Sequence, residues 1–258
     1  MKIVVLVKEV PDTWGDRKLS LETGLADRAA SETVLDEIGE RALEVALSYA
    51  DKTPGTEVVV LSMAPAGSAA TVRKGLAMGA TSAVHVADEG LVGADLGLTA
   101  EVLAAAIRHA GFDLVIAGNL STDGSGGMMA AMVAELLDVP NLTTLTSVQI
   151  GDGTVAGERA SDGATMQVSA ELPAVISITE ALPDARFPNF KGIMAAKKKP
   201  FETVTLEDLG IEPEDPHASR SIVLALSEKP PRAAGTKIVD EGDAGQKLAE
   251  FLVQNRLV

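Results

Sequence analysis

The chain of 258 residues carries 22 lysines and arginines against 37 aspartates and glutamates, which gives a formal net charge of −15. This acidic balance argues against a nucleic-acid partner, because phosphate backbones are held by a surplus of lysine and arginine. The lack of any cysteine excludes disulfides, a thiol nucleophile and metal centres held by cysteine. With 46% hydrophobic residues, the chain can build one large domain or one domain with an appendage.

We expect neither a targeting signal nor a membrane segment. Only five apolar residues follow Lys2, which is fewer than a signal peptide needs. No apolar run approaches the roughly 18 residues that a membrane span requires. The sequence therefore predicts a cytoplasmic protein without direct membrane insertion.

Strand and helix patterns alternate through the first half of the chain. The strands are predicted at 2–8, 57–63, 83–87 and 113–118, and the helices from 35, at 69–78, at 99–110 and from 128. Thr33 with Asp36 resembles a weak capping box for the first helix. Repeated strand–helix alternation predicts an α/β fold with a doubly wound, mainly parallel sheet and right-handed crossovers.

The pattern changes after Pro140. Alternating polar and apolar residues with Gly-Asp-Gly and Ser-Asp-Gly turns predict added hairpins over 143–172, and a buried strand follows at 174–178. The region after 210 is rich in proline and charge, so we expect an extended C-terminal arm that ends in a helix at 244–254. The predicted organisation is an α/β domain at 1–210 and the arm with its helix at 211–258.

A glycine-rich loop follows the fourth predicted strand and leads into a helix: Gly118-Asn-Leu-Ser-Thr-Asp-Gly-Ser-Gly-Gly127. Glycines let an anion approach backbone amides, and a helix N-terminus presents free N–H groups with partial positive charge. Ligands of open α/β sheets also bind at the carboxyl ends of strands. The loop is a candidate phosphate site, although glycines that serve only turn geometry would give the same pattern. It matches neither the Walker A nor the G-x-G-x-x-G motif.

Catalytic groups are hard to assign from the sequence. His85, His109 and His217 do not lie at metal-ligand spacing, so we expect structural or solvated roles for them. Ser121 and Ser125 have no nearby candidate base and no nucleophile-elbow motif. A nucleotide-type fold without reactive side chains favours binding, or chemistry carried by a cofactor, over group transfer.

Basic and apolar residues interleave in one short segment of this acidic chain. Its members are Arg186, Phe187, Phe190, Lys191, Ile193, Met194 and the lysines at 197–199. One interpretation is a solvated helix end, where lysines complement the helix dipole. The alternative is a docking segment, in which an exposed apolar side chain anchors a partner and the charges steer it.

Six segments of the chain together resemble one known family of proteins. They are VLVKEVPDT (5–13), ERALEVAL (40–47), TVRKGLAMGA (71–80), DLVIAGNLSTDG (113–124), RASDGATMQVSAELPAVISI (159–178) and ARFPNFKGIMAAKKKPFE (185–202). In this order they resemble the beta subunit of the electron transfer flavoprotein family over essentially the whole chain. The resemblance implies a Rossmann-like scaffold of the adenine-nucleotide-binding type and a non-enzymatic electron carrier.

The resemblance also implies cofactors and partners. It implies a heterodimer whose alpha subunit holds most of the FAD and binds the C-terminal helix of this chain, with AMP buried in the beta subunit. Electrons would pass from flavin dehydrogenases, notably the acyl-CoA dehydrogenases of fatty acid oxidation, to a membrane quinone oxidoreductase. In a bifurcating relative, a second FAD replaces AMP and NADH is the reductant.

Two alternatives belong to other classes of protein. One is a stand-alone adenine-nucleotide-binding protein, which would leave the arm and the lysine-rich segment unexplained. The other is an ATP-pyrophosphatase-like enzyme, whose Ser-Gly-Gly loop is expected after the first strand. Here the similar residues 124–127 follow the fourth predicted strand instead.

The site residues that the resemblance implies fall in a few places. The nucleotide contacts are Leu6, Asp36 to Gly39, Met63 and the loop from Gly118 to Met129, which includes Asp123, Gly124, Ser125, Gly126, Gly127 and Met128. The partner-recognition segment spans about Pro183 to Met194, with Phe190 as the apolar anchor where the family commonly has Leu. The sequence departs from the family at Asp36-Glu37-Ile38-Gly39, which replaces Asn-Pro-aromatic, and after Gly124, where a family Gln is missing.

Overall fold

The chain is described here by a computed structural model that covers residues 1–15, 17–215, 220–235 and 237–258. Their mutual contacts divide the chain into two units, Met1–Leu224 and Ala225–Val258. One of the three histidines, His217, lies outside the described residues.

The first unit alternates strands and helices before a run of antiparallel strands. Its strands are β1 (Lys2–Leu6), β2 (Glu9–Pro11), β3 (Thr33–Leu35), β4 (Glu57–Met63), β5 (Ser82–Val86), β6 (Leu114–Gly118), β7 (Asn141–Ile150), β8 (Thr154–Ser161), β9 (Ala164–Glu171), β10 (Ala174–Ile178) and β11 (Phe201–Val204). Its helices are α1 (Glu37–Ala50), α2 (Ala69–Met78), α3 (Leu96–Ala110), α4 (Met129–Leu137), α5 (Phe190–Ala196) and α6 (Leu206–Leu209).

As far as the described residues show, nine of these strands form one sheet in the order β11-β5-β4-β1-β6-β10-β7-β8-β9. Neighbouring strands from β11 to β7 are parallel, and β8 and β9 add an antiparallel extension. The small ribbon of β2 and β3 stands apart from this sheet. The prediction of an α/β fold with a doubly wound, mainly parallel sheet and added hairpin strands is confirmed.

The core lies on both faces of the sheet. Ile3, Val4 and Val5 of β1 are fully buried, because helices cover both sides of the central strands. On one face, which we call the α1–α2 face, Ile3 and Val5 pack with apolar residues of α1 and α2. On the other, the α3–α4 face, Val4 packs with apolar residues of α3 and α4.

The starts of helices α1 and α3 differ from the predicted ones. The predicted capping box of Thr33 and Asp36 is wrong, because Thr33 lies in β3 and Asp36 at the N-cap of α1 makes no side-chain cap hydrogen bond. Helix α3 begins before Thr99 because the Asp95 carboxylate accepts a hydrogen bond from the Leu98 amide at 2.8 Å. Helix α2 ends at Gly79 as predicted.

The sequence patterns miss the short elements. Strands β2 and β3 have three residues each and β11 has four, which is too short for a periodic pattern to register. The lysine-rich segment contains helix α5, seven residues long, where the sequence left a loop and a helix end as alternatives.

The second unit contains helix α7 (Ala244–Gln254), which agrees with the predicted 244–254. Leu248 and Val253 on this helix are 51% and 65% exposed. None of the helices in the described part of the chain combines the length and the apolarity needed to cross a membrane.

Gly75 lies where α2 packs on β4, and a Cβ added there would lie 2.8 Å from Cγ2 of the buried Val60. In an uncrowded helix, Gly→Ala stabilises by up to about 1 kcal/mol. Here we expect Gly75→Ala to lower the free energy of unfolding by about 1–3 kcal/mol, because the core must shift to admit the methyl group. Chemical denaturation measures the change. Gly67→Ala is the control, since its added Cβ meets nothing within 4 Å; equal stability of both variants would contradict the close packing.

Candidate nucleotide-binding site

A cleft of about 1510 Å³ opens at the carboxyl ends of the central strands. The chain runs from β1 to β4 and β5 on one side of β1 and then crosses to β6 on the other side. Ligands of open α/β sheets bind at such a switch point. Leu6, Met63 and Gly118, the last residues of β1, β4 and β6, line the cleft.

Most of the expected nucleotide contacts meet in this cleft. Those that line it are Leu6, Asp36, Gly39, Met63, Gly118, Gly124, Gly126, Gly127, Met128 and Met129. Asp123 and Ser125 belong to the same loop but do not form its lining. The cleft wall also includes residues that the sequence did not indicate: Thr23, Leu25, Ala26, Arg28, residues 87–89, residues 91–97 and residues 221–223.

Two glycines of the loop have steric reasons to be glycine. A Cβ on Gly118 would lie 2.6 Å from Cγ2 of Ile38, so a side chain here would push α1 away from β6. Gly127 has a φ of +66°, and its Cβ would meet Leu120 Cδ2 at 2.9 Å. Gly126 has neither restriction: the nearest atom to its Cβ position is Leu96 Cδ2 at 3.9 Å. Its lack of a side chain leaves the loop backbone open to the cleft.

The N-terminus of α4 faces the cleft without a side-chain cap. Its N-cap residue is Met128, whose thioether cannot play the part of a capping oxygen. The neighbouring helix α3 differs, because Asp95 caps it. The unsatisfied amides and partial positive charge at the start of α4 make this end suitable for a phosphate group.

Asp36 is the buried acidic group of the cleft wall, with only 2% of its surface exposed. Its Oδ2 accepts a hydrogen bond from the Thr122 amide at 2.9 Å, whereas its Oδ1 has no hydrogen-bond partner. Burial raises the pKa of this carboxyl, against the Thr122 amide, which lowers it. Buried polar atoms are normally hydrogen-bonded. Oδ1 is therefore an unsatisfied acceptor in the cleft wall.

Lys8 also holds the glycine-rich loop at 118–127. Its Nζ lies 2.7 Å from Asp123 Oδ1 and 3.4 Å from Ser121 Oγ. Burial acts to raise the pKa of Asp123, but the hydrogen bond and charge of Lys8, together with hydrogen bonds from Ser121 and the Gly124 amide, outweigh it, and the pKa lies below its ordinary value. Asp123 is thus an ionised residue that fixes the loop in place.

The two described histidines have structural surroundings. Nε2 of the buried His85 lies 3.0 Å from the Ala64 carbonyl, and its ring packs edge-on against Phe201. His109 pairs with Glu202 at the surface at 2.9 Å. In the part of the chain that the structure describes, no three His, Asp or Glu side chains form a group that could hold a metal ion.

The basic and apolar segment forms a second candidate site, away from the cleft. Phe187 is 93% and Phe190 79% exposed, and Ile193 and Met194 are about half exposed beside the exposed Lys191. Asn189 caps the helix by accepting from the Gly192 amide at 2.8 Å. An exposed apolar group of this size marks an interaction surface.

Not every cation of this segment faces solvent. Arg186 makes a two-pronged ion pair with Glu44 of α1, at 2.7 and 2.8 Å, and a third contact with Asp51 at 2.9 Å. Lys199 donates to the Leu76 and Ala80 carbonyls at the end of α2, and burial lowers its pKa. Both side chains therefore fasten the segment to the α1–α2 face.

The chain is similar to electron transfer flavoprotein subunits over almost its whole length. The family described as Electron transfer flavoprotein domain matches residues 23–209. The electron transfer flavoprotein subunit beta of Mycobacterium tuberculosis is 45% identical over 99% of both chains, and that of Mycobacterium leprae is 44% identical over the same share. The Caffeyl-CoA reductase-Etf complex subunit CarD of Acetobacterium woodii is 32% identical over 98% of this chain and 97% of its own.

The chain belongs to the electron transfer flavoprotein beta-subunit family. The resemblance seen in the six sequence segments is thereby confirmed. Membership of this flavoprotein family implies association with a flavin and with an alpha subunit.

Sequence reasoning missed parts of the site in this electron transfer flavoprotein subunit. Lys8 was not singled out, because its partner Asp123 lies 115 residues away in the chain. Asp95 and the residues 221–223 also belong to the wall without any motif to mark them. The Asp95 N-cap at the start of α3 was the one local signal available for that part of the wall.

We expect Lys8→Met to lower the free energy of unfolding by about 1 kcal/mol at pH 7, because the half-buried Asp123 carboxylate loses its counter-charge. In the wild type this carboxylate has a lowered pKa, so its stabilisation is present above about pH 3.9 and is lost only as the pH falls through the folded-state pKa. In the variant, Asp123 takes up a proton at higher pH than in the wild type. The difference in the free energy of unfolding between the two proteins therefore shrinks from pH 7 toward pH 4. Urea denaturation at several pH values measures both effects.

The double variant Lys8→Met/Asp123→Asn is the control for this prediction. It leaves no unpaired carboxylate, so most of the lost stability and the pH dependence of the deficit should disappear. A deficit of the same size at pH 7 and pH 4 would show that the Lys8–Asp123 charge pair is not its cause.

Proposed function

We propose that this chain is the beta subunit of a heterodimeric electron transfer flavoprotein that carries electrons from flavin dehydrogenases, such as acyl-CoA dehydrogenases, to a membrane quinone oxidoreductase. The observation that carries the proposal is the 45% identity over 99% of both chains with a named beta subunit. FAD, held mainly by the alpha subunit, supplies the redox chemistry when bound. This chain's residues then need only to bind, orient and dock, which agrees with a cleft wall of glycines, apolar side chains and structural ion pairs.

We propose AMP as the nucleotide of the cleft. The uncapped start of α4 and the open backbone at Gly126 suit its phosphate. The unpartnered Oδ1 of Asp36 suits a ribose hydroxyl or the adenine amino group. Gly39 allows α1 to approach β1, since its Cβ position lies only 3.4 Å from the Val7 Cα, and this brings Asp36 to the strand ends. These residues supply the two kinds of contact that a nucleoside monophosphate requires.

A bifurcating electron transfer flavoprotein, with a second FAD in the cleft and NADH as reductant, is the second candidate. The cleft of about 1510 Å³ exceeds the roughly 300–1,000 Å³ typical of small-molecule sites, so its size allows a dinucleotide. The relative named as a subunit of a Caffeyl-CoA reductase-Etf complex also favours this candidate. The two candidates differ in the number of flavins in each heterodimer.

A stand-alone adenine-nucleotide-binding protein is less well supported. Such a protein would cover its large apolar side chains, whereas Phe187, Ile222 and Leu224 are 93%, 79% and 89% exposed. We propose that the C-terminal part of the chain, residues 211–258, packs on the alpha subunit and covers such groups. The proposed location of the heterodimer is the cytoplasm, within reach of both its dehydrogenases and a membrane-bound acceptor.

We propose that helix α5 with the preceding Phe187 docks the dehydrogenases. Phe190 is the apolar anchor, with Ile193 and Met194 beside it and Lys191 steering the acidic partner. Gly192 brings this helix against α2, because a Cβ there would lie 2.3 Å from the Ala77 carbonyl oxygen. Arg186, held by Glu44, fixes the segment on its own protein rather than reaching for the partner.

Co-expression with the alpha subunit tests the proposal. We expect a stable heterodimer that releases one FAD and one AMP on denaturation, identified by chromatography and mass spectrometry. Two FAD and no AMP would favour the bifurcating candidate. Failure of the two chains to associate would contradict the proposed function.

Phe190→Ala tests the docking surface. Loss of a central apolar anchor should raise the KM for a reducing dehydrogenase by at least about tenfold. Reduction of the same heterodimer by dithionite should be unchanged, because the flavin environment is not altered. Leu136→Ala is the matched control: Leu136 is also partly exposed, at 39%, but lies on α4 on the opposite face of the sheet. Equal KM values for the two variants would contradict docking at Phe190.

A further inference from the structure

A short segment of the arm forms part of the cleft wall. Ser221, Ile222 and Val223 line the cleft, and we call residues 220–223 the strap. At its first end, the Ser221 amide donates to Asp95 Oδ2 at 2.6 Å. Beside it, the Arg220 guanidinium pairs with both oxygens of Glu101 on α3, at 3.1 and 2.8 Å. The strap is thus attached to the start of α3.

The other end of the strap rests on a different loop. Val223 covers Gly24 so closely that a Cβ added to Gly24 would lie 2.6 Å from Val223 Cγ1. The flanking residues Thr23 and Leu25 line the cleft as well. The strap therefore bridges two separate parts of the wall, the start of α3 and the loop around Gly24.

Asp95 has two tasks that use different oxygens. Its Oδ1 caps α3 by accepting from the Leu98 amide at 2.8 Å, and its Oδ2 holds the strap. The Leu98 amide, with the Ser221 amide and the charge of Arg220, keeps the pKa of Asp95 below its ordinary value, so the carboxylate is ionised at neutral pH. The next residue, Leu96, lies beside the backbone at Gly126 in the phosphate loop. The attachment point thus adjoins the proposed nucleotide phosphate.

We propose that the strap is a wall of the nucleotide site which must detach before the nucleotide can leave, and that Asp95 is the positioning residue that holds it closed. The inference rests on the proposed function, because it takes the ligand of the cleft to be an adenine nucleotide. It adds residues 220–223, Asp95 and Glu101 to the determinants of nucleotide retention. None of them needs to touch the redox centre.

Asp95→Asn separates the two tasks of this side chain. Asparagine is an equally good N-cap, so the bond from the Leu98 amide is kept, but its amide group cannot accept from the Ser221 amide. We expect the heterodimer carrying this variant to exchange bound AMP for radiolabelled AMP about tenfold faster than the wild type, the effect of losing one hydrogen bond to a charged group. Removing a negative charge near a phosphate would by itself slow the release, so a faster exchange identifies the strap.

Asp88→Asn is the matched control. Asp88 also lines the cleft and also accepts two amide hydrogen bonds, from Gly90 at 2.9 Å and from Leu206 at 3.1 Å, but neither involves the strap. Its AMP exchange should be no faster than that of the wild type, because this variant removes a carboxylate from the cleft wall without releasing the strap. Glu101→Gln weakens the strap from the Arg220 side without touching the cap and should also speed exchange, so it carries the test where Asp95→Asn does not fold.

The outcomes separate this inference from the proposed function. A wild-type heterodimer that retains AMP, with equal exchange rates in Asp95→Asn, Glu101→Gln and the wild type, would overturn the strap and leave the proposed function standing. A heterodimer that binds no adenine nucleotide would overturn both. Faster exchange in both strap variants, with Asp88→Asn no faster than the wild type, is the result that supports the strap.

Discussion

The burial of β1 on both faces is the constraint on which the site depends. Val4 pairs with Val59 on one side and with Val115 on the other, so the ends of three parallel strands reach the same edge of the sheet. Because the chain leaves β1 toward β4 and later returns on the opposite side, the helices diverge at this edge and leave a cleft. Gly39 and Gly118 allow α1 to lie close to these strand ends. The cleft is thus a consequence of topology and two small residues.

The cost of burying Asp36 connects folding with binding. A buried carboxylate is unfavourable unless its oxygens are hydrogen-bonded, and the fold satisfies only one of them, through the Thr122 amide. The bond nevertheless has a structural use, since it ties the glycine-rich loop to the start of α1. A ligand that donates to the second oxygen would remove the remaining cost. The same side chain therefore shapes the loop and leaves the cleft wall with one unsatisfied acceptor.

Local pattern and long-range contact explain what the sequence could and could not predict. The strand at 57–63 and the helices at 69–78 and 244–254 follow from periodicity and agree with the structure. The glycine loop was found because strand, loop and helix are contiguous. The strap was missed because Ser221 and Asp95 are 126 residues apart and neither belongs to a motif. The ribbon of β2 and β3 was missed because three-residue strands carry no period.

Helix α1 serves both of the surfaces described here. Its N-terminal end contributes Asp36 and Gly39 to the cleft, and its later turns carry Glu44, which holds Arg186 and with it the docking segment. A helix packed along its length on the sheet keeps its two ends at a fixed separation. Helix α5 and the cleft are therefore held at a fixed separation by a rigid element. A change in the exposed side chain of Phe190 on α5 would accordingly leave the cleft undisturbed.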